Sequence, residues 1–309
     1  MTTPNILTDT APETDRADAT LVHSVITDAW GLYFAQGGVV MTAALRAMAS
    51  VLDRSDLHLA SASATFCRPV ACGPVTTRVT VLRNGRRGAQ VLGTLHDATG
   101  TDSDTGSDID SDTGTGTGTG TGSSDTADEA VNVAVTAVFT DPDMAGPLVA
   151  PVPRPLELSE PPSATADPET FDHQFPLGFL DNTEWHVAAG AAGATEPSPI
   201  PRMGMWFRFN DPPASTGDHW NPALLAIPGD ALGSALVVAL GDGEQPVGSV
   251  SLQIDIQLLA PISGTWVGID SYCTHVGNGL ATGIAHLWSE DGTHVAVVNQ
   301  TAMLRGLHG

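Results

Sequence analysis

One structural unit occurs twice in this sequence, and the duplication constrains the fold more than any other feature. The segment LHLASASATFCRP, which ends at Pro69, aligns with VSLQIDIQLLAP, which ends at Pro261. In both copies apolar side chains recur at every second position: Ala60, Ala62, Ala64 and Phe66 in the first copy, and Leu252, Ile254, Ile256 and Leu258 in the second. A period of two is typical of a half-buried β-strand. Each copy is therefore predicted to contain the same strand with the same side facing inward.

Matches at the same offset extend the repeated unit in both directions. Gly85 falls on Gly277 and Leu95 on Leu287, while upstream WGLYFAQGGVVMTAALRAM aligns with WNPALLAIPGDALGSALVVAL. The unit is predicted to be a long helix followed by four strands in a meander. A helix that is apolar nearly all round must be covered on several sides, so an antiparallel sheet is expected to curl around it. Pairing the two sheets edge to edge would also remove one exposed edge from each.

Two segments lie outside the repeated units. Residues 98–128 consist almost entirely of Asp, Thr, Gly and Ser, which predicts a disordered extension of a hairpin tip. Asp108, Asp110 and Asp112 resemble the start of a calcium loop, but its glycine and closing acidic position are misplaced, so calcium is not expected there. The expected organisation is a first unit at 1–145, a Pro-rich connector at 146–171 and a second unit at 172–309.

Charge and cysteine content limit the partners and the compartment. The chain has 12 basic and 35 acidic residues, hence a net charge of -23, and such a surface repels phosphate backbones and anionic lipid headgroups. Neither nucleic acid nor a membrane is therefore expected as a partner, and no apolar run predicts a membrane-spanning helix. The N-terminus lacks the features of a signal peptide, and the odd cysteine count (Cys67, Cys72 and Cys273) predicts reduced thiols in the cytoplasm.

The order of the elements and a C-terminal motif resemble a known family. In the second copy, Gly264-x-Trp266 follows the strand that ends at Pro261. The motif W-x-x-D-G-x-x-V-A-x-x-x-Q-x-x-x-x-R then runs from Trp288 to Arg305. This pattern is similar to the double-hotdog acyl-CoA thioesterases, in particular the bacterial acyl-CoA thioesterase II type. The resemblance covers nearly the whole chain apart from the N-terminal tail, the insert and the connector. It implies an α+β double hotdog, in which two tandem units each have a long helix wrapped by a curved antiparallel sheet.

The resemblance also implies three catalytic residues. The family holds an attacking water with an Asp in the second-copy helix, a Thr on the next strand and a Gln on the last strand. These positions fall on Asp230, Ser251 and Gln300. Serine in place of threonine keeps the hydroxyl but lacks the methyl group that restricts the rotamer.

The first copy carries no polar side chain at the matched positions, which are Gly38, Leu59 and Val135. A group that the fold itself required should recur in both copies, so this asymmetry favours a functional role for Gln300. A second interpretation of Asp230 stays open: it could cap a helix that Pro228 and Gly229 interrupt. The alternation also predicts that Asp255 shares a strand face with Ser251, where we interpret it as a solvated sheet residue. His219 and His275 are interpreted as ordinary exposed or core histidines.

We expect an acyl-thioester hydrolase that needs neither a metal nor a cofactor and acts on acyl-CoA or another acyl thioester. The acyl tail is expected in an apolar channel between the two helices. Three glycines are expected to let the backbone approach the substrate closely: Gly37, Gly38 and Gly229. Arg86 and Arg87 are expected to bind the phosphates of CoA. The alternative is a non-catalytic double-hotdog protein that binds an acyl ligand. Hotdog units usually pair, here within one chain, and whether the chain also forms a homo-oligomer stays open.

Overall fold

The computed structural model describes residues 3–97, 130–144, 153–155, 158, 160–163, 177–189, 201–213, 219–241 and 247–306. The insert predicted at 98–128, with its calcium-like acidic residues, lies outside the described residues, as does most of the connector. We refer to residues 3–144 as the first half and to residues 177–306 as the second half.

Twelve described strands form one antiparallel sheet. The first half contributes β1 (Glu13–Thr14), β2 (Leu21–Ile26), β3 (His58–Phe66), β4 (Gly73–Gly85), β5 (Gly88–Asp97) and β6 (Val133–Thr140). The second half contributes β7 (Thr183–Ala189), β8 (Arg202–Phe209), β9 (Val247–Leu258), β10 (Val267–Gly277), β11 (Leu280–Ser289) and β12 (His294–Gly306). The helices are α1 (Ile6–Asp9), α2 (Gly37–Leu52), α3 (Gly178–Asp181), α4 (Ala226–Gly229) and α5 (Leu232–Leu240), and 3-10 turns lie at Asp28–Trp30, Pro142–Met144 and Pro222–Leu225.

The strand order confirms that the two copies pair edge to edge. The order is β1-β2-β4-β5-β6-β3-β9-β12-β11-β10-β8-β7, so β3 and β9 join the halves at the centre of the sheet. Ser63 pairs with Asp255, its own counterpart in the sequence alignment, and the pairs on either side are related by exchange of the two halves. The halves are thus related by an approximate two-fold axis that passes between these two residues.

Two details of the predicted unit are wrong. Each helix is preceded by two strands at the outer edge of the sheet, β1 and β2 in the first half and β7 and β8 in the second. In addition, the four strands after the helix are not a simple meander, because β3 pairs with β6 and β9 with β12. The last strand of each unit therefore returns beside the first, which brings residues from distant parts of the sequence onto neighbouring strands.

Helix α2 is the central element of the first half. Eleven of its sixteen residues are buried, because the curved sheet covers it on one side and the second-half helices on the other. The described sheet and this helix give the wrapped architecture that the family resemblance implied.

The second-half helix is interrupted, as Pro228 and Gly229 predicted. A 3-10 turn precedes α4, because the ring nitrogen of Pro228 cannot donate to the carbonyl of Leu224. The α4 helix then ends at Gly229, and α5 begins only at Leu232. The whole stretch Pro222–Leu240 is long and apolar enough to cross a membrane, contrary to the sequence-based expectation; 67% of its apolar window is buried in the protein, as in a core helix.

Candidate active site

The three residues assigned from the family resemblance meet in the structure. Ser251 Oγ lies 3.0 Å from Asp230 Oδ1, and Gln300 Nε2 lies 2.8 Å from Ser251 Oγ. Gln300 Nε2 also donates to Asp230 Oδ1 at 2.5 Å. A carboxylate, a hydroxyl and an amide from α4–α5, β9 and β12 therefore form one cluster. A water-sized gap between them was expected; instead the three groups contact one another directly.

Ser251 faces inward because β9 contains a β-bulge. Gln253 pairs with Thr301 and Ser251 pairs with Ala302, so Leu252 is an extra residue on β9. The extra residue reverses the alternation, and Ser251 turns to the face that Asp230 and Gln300 occupy. The prediction that Asp255 shares a face with Ser251 is therefore wrong, because the bulge separates them.

The same bulge occurs in the first half. Leu59 pairs with Phe139 and Ser61 with Val138, which leaves Ala60 as the extra residue on β3. Leu59 is turned inward and buried at the position that matches Ser251. The bulge thus belongs to the architecture of both halves, whereas the hydroxyl at this position occurs in the second half only.

The first-half counterpart of Gln300 is Ala137 and not Val135. Gln300 pairs with Ile254, and Ala137 pairs with Ala62, which is the alignment partner of Ile254. The alignment of Val135 with Gln300 was two residues out of step, because the length of the insert between the strands leaves the alignment after it without a fixed offset. Ala137 is also apolar and buried, so the asymmetry between the halves remains.

The second carboxylate oxygen of Asp230 is held from the first half. Gln36 Nε2 donates to Oδ2 at 2.9 Å, and the Gly38 backbone N–H donates to the same oxygen at 3.1 Å. Gln36 was not among the residues predicted from the sequence, and its only local signal is its place just before the Gly37-Gly38 start of α2. The alternative interpretation of Asp230 as an N-cap carboxylate is wrong: Ala231 is the N-cap residue of α5. Asp230 is the C-cap residue of α4 through its backbone N–H, and its side chain meets the start of α2.

Burial governs the protonation of Asp230. Removal of the carboxylate from water raises its pKa above the ordinary value of 3.8. Hydrogen bonds from Ser251, the Gly38 N–H and Gln300 oppose that rise. The group is therefore a stronger base than an exposed aspartate, while four donors still hold it in one orientation.

The three glycines predicted to approach the substrate serve protein packing here. A Cβ at Gly38 would lie 2.3 Å from the Ala226 carbonyl oxygen, so Gly38 lets α2 contact α4. A Cβ at Gly37 would lie 2.7 Å from Asp230 Oδ2, and one at Gly229 would lie 2.8 Å from a methyl of Val298. Close approach is required at all three positions, but the neighbours in the structure are the site itself and its supporting strands.

Arg86 and Arg87 lie far from this cluster. Both are exposed at the turn between β4 and β5, where Arg54 contacts the carbonyl oxygen of Arg86. Arg54 follows the C-terminal end of α2, whereas Asp230 meets its N-terminal end, about 24 Å away for a helix of sixteen residues. The two arginines are therefore not part of the site around Asp230, and phosphate binding by them stays a prediction.

The expected channel between the helices is occupied by helix contacts. Besides the approach at Gly38, Thr42 Oγ1 donates to the Ala223 carbonyl oxygen at 2.9 Å. A narrow, mainly apolar crevice, too tight to hold a water molecule, lies instead between the second-half helices and β10–β12. Its lining residues are Gly229, Leu232, Ser271, Gly283, Ile284, Ala285, Val298 and Gln300.

The remaining candidates take no part in the cluster. Asp255 lies on the outer face and accepts from Gln253, as a solvated sheet residue would. His219 and His275 are exposed. Cys67, Cys72 and Cys273 form no disulfide with one another, and their reduced state stays a prediction. Among the described residues, no group of three His, Cys, Asp or Glu side chains has metal-binding geometry.

Comparisons with known proteins agree with the architecture. The family model for the acyl-CoA thioesterase N-terminal domain matches residues 26–140, and the model for the acyl-CoA thioesterase C-terminal domain matches residues 157–304. No curated protein matches the sequence.

Three solved structures share the fold over nearly their whole length. A hot dog fold protein of unknown function from Alicyclobacillus acidocaldarius is 18% identical with a TM-score of 0.72, covering 98% of this chain and 99% of its own. The tesB protein of Mycobacterium avium subs paratuberculosis is 17% identical with a TM-score of 0.68, covering 97% and 98%. The acyl-CoA thioesterase II TesB2 of Mycobacterium marinum is 16% identical with a TM-score of 0.66, covering 98% of each chain.

Proposed function

Because the chain belongs to the acyl-CoA thioesterase family, we propose that it hydrolyses acyl-CoA, or another acyl thioester, with a water molecule held by Asp230, Ser251 and Gln300. The observation that carries this proposal is the contact of these three side chains at an inward-facing position of the second half only. A conserved architecture explains the bulge and the helices, but it does not explain why a carboxylate, a hydroxyl and an amide meet there.

The water molecule takes the place of the direct contact between Gln300 and Asp230. It donates one proton to Asp230 Oδ1, accepts a hydrogen bond from Gln300 Nε2, and directs its second lone pair at the thioester carbonyl carbon. Asp230 accepts the proton as the new C–O bond forms, and its burial makes it a stronger base for this step. Collapse of the tetrahedral intermediate breaks the C–S bond, and the proton passes to the departing thiolate.

Ser251 orients Asp230 during these steps. Its hydroxyl donates to Asp230 Oδ1 and accepts from Gln300 Nε2, so it joins the base to the amide. Serine retains both hydrogen bonds of the threonine that the family resemblance implies, so the substitution leaves the chemistry intact.

Two helix ends supply a favourable field for the oxyanion. The N–H of Gly38 at the start of α2 and the N–H of Leu232 at the start of α5 both donate into this cluster. The positive ends of two helices, one from each half, therefore lie at the cluster of Asp230 and Gln300, and a thioester carbonyl bound beside this cluster would experience their field. Such a field stabilises negative charge on the carbonyl oxygen in the transition state.

Apolar surface for an acyl chain lies beside the site. Leu32, Tyr33 and Phe34 are 40%, 73% and 49% exposed, immediately before Gln36 in the chain. The Ala35 N–H donates to the carbonyl oxygen of Val70, which fixes this loop next to the segment that follows β3. An exposed apolar cluster next to a polar site suits a substrate with an apolar chain and a polar reacting group.

Thiol release from acyl-CoAs of increasing chain length tests the proposal. Gln300→Ala should lower kcat by about a hundredfold, because it removes the group that holds the water. Gln253→Ala is the matched control: it removes an exposed amide from the outer face of β9 and should leave kcat unchanged.

If Gln300→Ala and the parent protein released thiol at equal rates, the assignment of the catalytic residues Asp230, Ser251 and Gln300 would be wrong. If the parent retained acyl-CoA tightly and released no thiol, the non-catalytic alternative would hold instead.

A further inference from the structure

A glutamine from the first half holds the far side of the Asp230 carboxylate. Gln36 is 5% exposed and precedes the first residue of α2. Its Nε2 donates to Asp230 Oδ2 at 2.9 Å, and its Oε1 accepts from the Val39 N–H at 2.8 Å. The side chain therefore connects the start of one half's helix to the carboxylate of the other half.

Gln36 and Gln300 hold Asp230 in the same manner from opposite sides. Gln300 Oε1 accepts from the Leu232 N–H at the start of α5, and its Nε2 donates to Oδ1. Gln36 Oε1 accepts from a first-turn N–H of α2, and its Nε2 donates to Oδ2. In each case a helix N–H fixes the amide orientation, because only the amide oxygen can accept that bond and the NH2 group must then face the carboxylate.

We propose that Gln36 is a positioning residue for hydrolysis, which anchors Oδ2 of Asp230 so that Oδ1 stays directed at Ser251 and the attacking water. This inference rests on the proposed function, since it assigns Asp230 as the base. Without Gln36, Oδ2 would keep the Gly38 N–H but lose its side-chain donor. The carboxylate could then rotate about its Cβ–Cγ bond, and Oδ1 would leave the line between Ser251 and Gln300.

A neutral donor suits this position better than a charged one. An arginine beside Oδ2 would hold the carboxylate equally well, but it would strongly stabilise the ionised form and weaken the base. An amide fixes the geometry and leaves the base strength to be set mainly by burial. Gln36 therefore separates the orientation of Asp230 from its proton affinity.

Other charged groups near the site face elsewhere, so they do not replace Gln36. The titratable residues on α2 and on β9–β12 are engaged away from Asp230 or exposed: Arg46 donates to Thr10, Asp255 accepts from Gln253, Asp270 pairs with Arg202, Tyr272 donates to Asp270, His286 contacts His294, Cys273 packs beside Leu232, and His275 and Arg305 are exposed. Asp230 is the one titratable residue in Pro222–Leu240.

Two substitutions separate the two roles of Gln36. Gln36→Ala removes both the helix cap and the donor to Asp230; we expect kcat to fall about tenfold with KM within about twofold of the parent value. Gln36→Glu keeps an oxygen for the Val39 N–H but places a second carboxyl group against Oδ2. The two carboxyl groups would then share one proton, so the acid limb of the kcat profile should move to higher pH.

Thr42→Val is the matched control. Thr42 lies one turn further along α2 and bonds the same pair of helices through the Ala223 carbonyl oxygen, but it does not touch Asp230. The Thr42→Val substitution should lower the free energy of unfolding and leave both kcat and the pH profile of kcat unchanged. Gln36 would be a structural residue only, and the inference overturned, if Gln36→Ala left kcat at the parent value or Gln36→Glu left the pH profile in place.

The ionisation of Asp230 can be followed independently of turnover. The carboxyl band of Asp230 is obtained from infrared difference spectra of the parent and Asp230→Asn proteins over a range of pH. The inference predicts that Gln36→Glu moves the midpoint of this band to higher pH whether or not thioesters are hydrolysed. An unmoved midpoint overturns the role of Gln36, whereas a moved midpoint in a protein that releases no thiol overturns the proposed function alone.

Discussion

The two halves of the molecule share an architecture and differ in chemistry at the same positions. Both have a helical segment against a curved sheet, continuous in the first half and interrupted in the second. Both also have a bulge that turns one residue inward, Leu59 in the first half and Ser251 in the second. The bulge alone therefore does not mark a site. The side chain that it presents decides whether the position contributes to a core or to a reaction.

The difference at Gly38 and Asp230 shows that the halves are complementary. Any side chain at Gly38 would meet the backbone of Ala226 and Ile227, so the first half cannot carry a counterpart of Asp230 there. Because Gly38 has no side chain, the start of α2 lies close to Asp230, and the Gly38 N–H and the Gln36 side chain both donate to the Asp230 carboxylate. The first half thus lacks this polar set and forms part of the environment of the second half's site.

Substitution of Asp230, which has no counterpart in the first half, should have the largest effect on kcat. Asp230→Asn removes the proton acceptor and should lower kcat by about a thousandfold. Asp255→Asn, on the outer face at the junction of the halves, should leave kcat unchanged. Steady-state thiol release measures both; similar losses in the two variants would contradict the assignment of Asp230 as the base.

The close approach of α2 to α4 predicts a large effect on stability. Gly38→Ala places a methyl group against the Ala226 carbonyl oxygen and should lower the free energy of unfolding by about 3 kcal/mol. Gly233→Ala, at an exposed helical position with open space, should instead raise it by about 0.5–1 kcal/mol. Urea denaturation measures both changes, and a fully stable Gly38→Ala protein would show that the contact between the halves is not tight.

Substitutions at the matched bulge positions, Ser251 and Leu59, should have smaller effects and test directly how the two halves differ. Ser251→Ala should lower kcat by about tenfold to a hundredfold through loss of the link between Asp230 and Gln300, while Ser251→Thr should retain activity. Leu59→Ser should lower the free energy of unfolding by about 2 kcal/mol and add no activity, because it buries a hydroxyl in an apolar core. A more active Leu59→Ser protein would show that the first half retains a usable site.

The smallest predicted effect is on the pH dependence of stability. Because burial raises the pKa of Asp230 in the folded protein, its contribution to stability is fully present below the unfolded pKa and is lost as the pH rises through the folded pKa. The parent should therefore be more stable relative to Asp230→Asn at acid pH than at neutral pH, and the acid limb of kcat should lie above pH 3.8. Chemical denaturation of both proteins from pH 4 to pH 7 measures this; a constant difference would contradict the raised pKa.

The sequence predicted the architecture well because it carries the duplication. The strand period and the matched prolines predicted two copies of one unit that pair edge to edge, and the structure confirms this with β3 and β9 at the junction. The edge strands before each helix were overlooked, although LVHSVI in β2 alternates as a strand should.

The site could be predicted only in part. Asp230, Ser251 and Gln300 were reached through the family resemblance, and the structure brings them together. The bulge at Leu252 was hidden, because the apolar alternation continues through it in the sequence. Gln36 gave no comparable signal, since its partner is a carboxylate in the other half and no local pattern records that contact.

The stoichiometry of substrate binding tests most directly the claim that one composite site serves both halves. A hydrolysis-resistant thioether analogue of acyl-CoA, titrated into the parent protein by calorimetry, should bind at one site per chain. Gln300→Ala should weaken that binding, because Gln300 contacts Asp230 and Ser251 in the proposed site. Two analogues bound per chain, or none, would contradict the account.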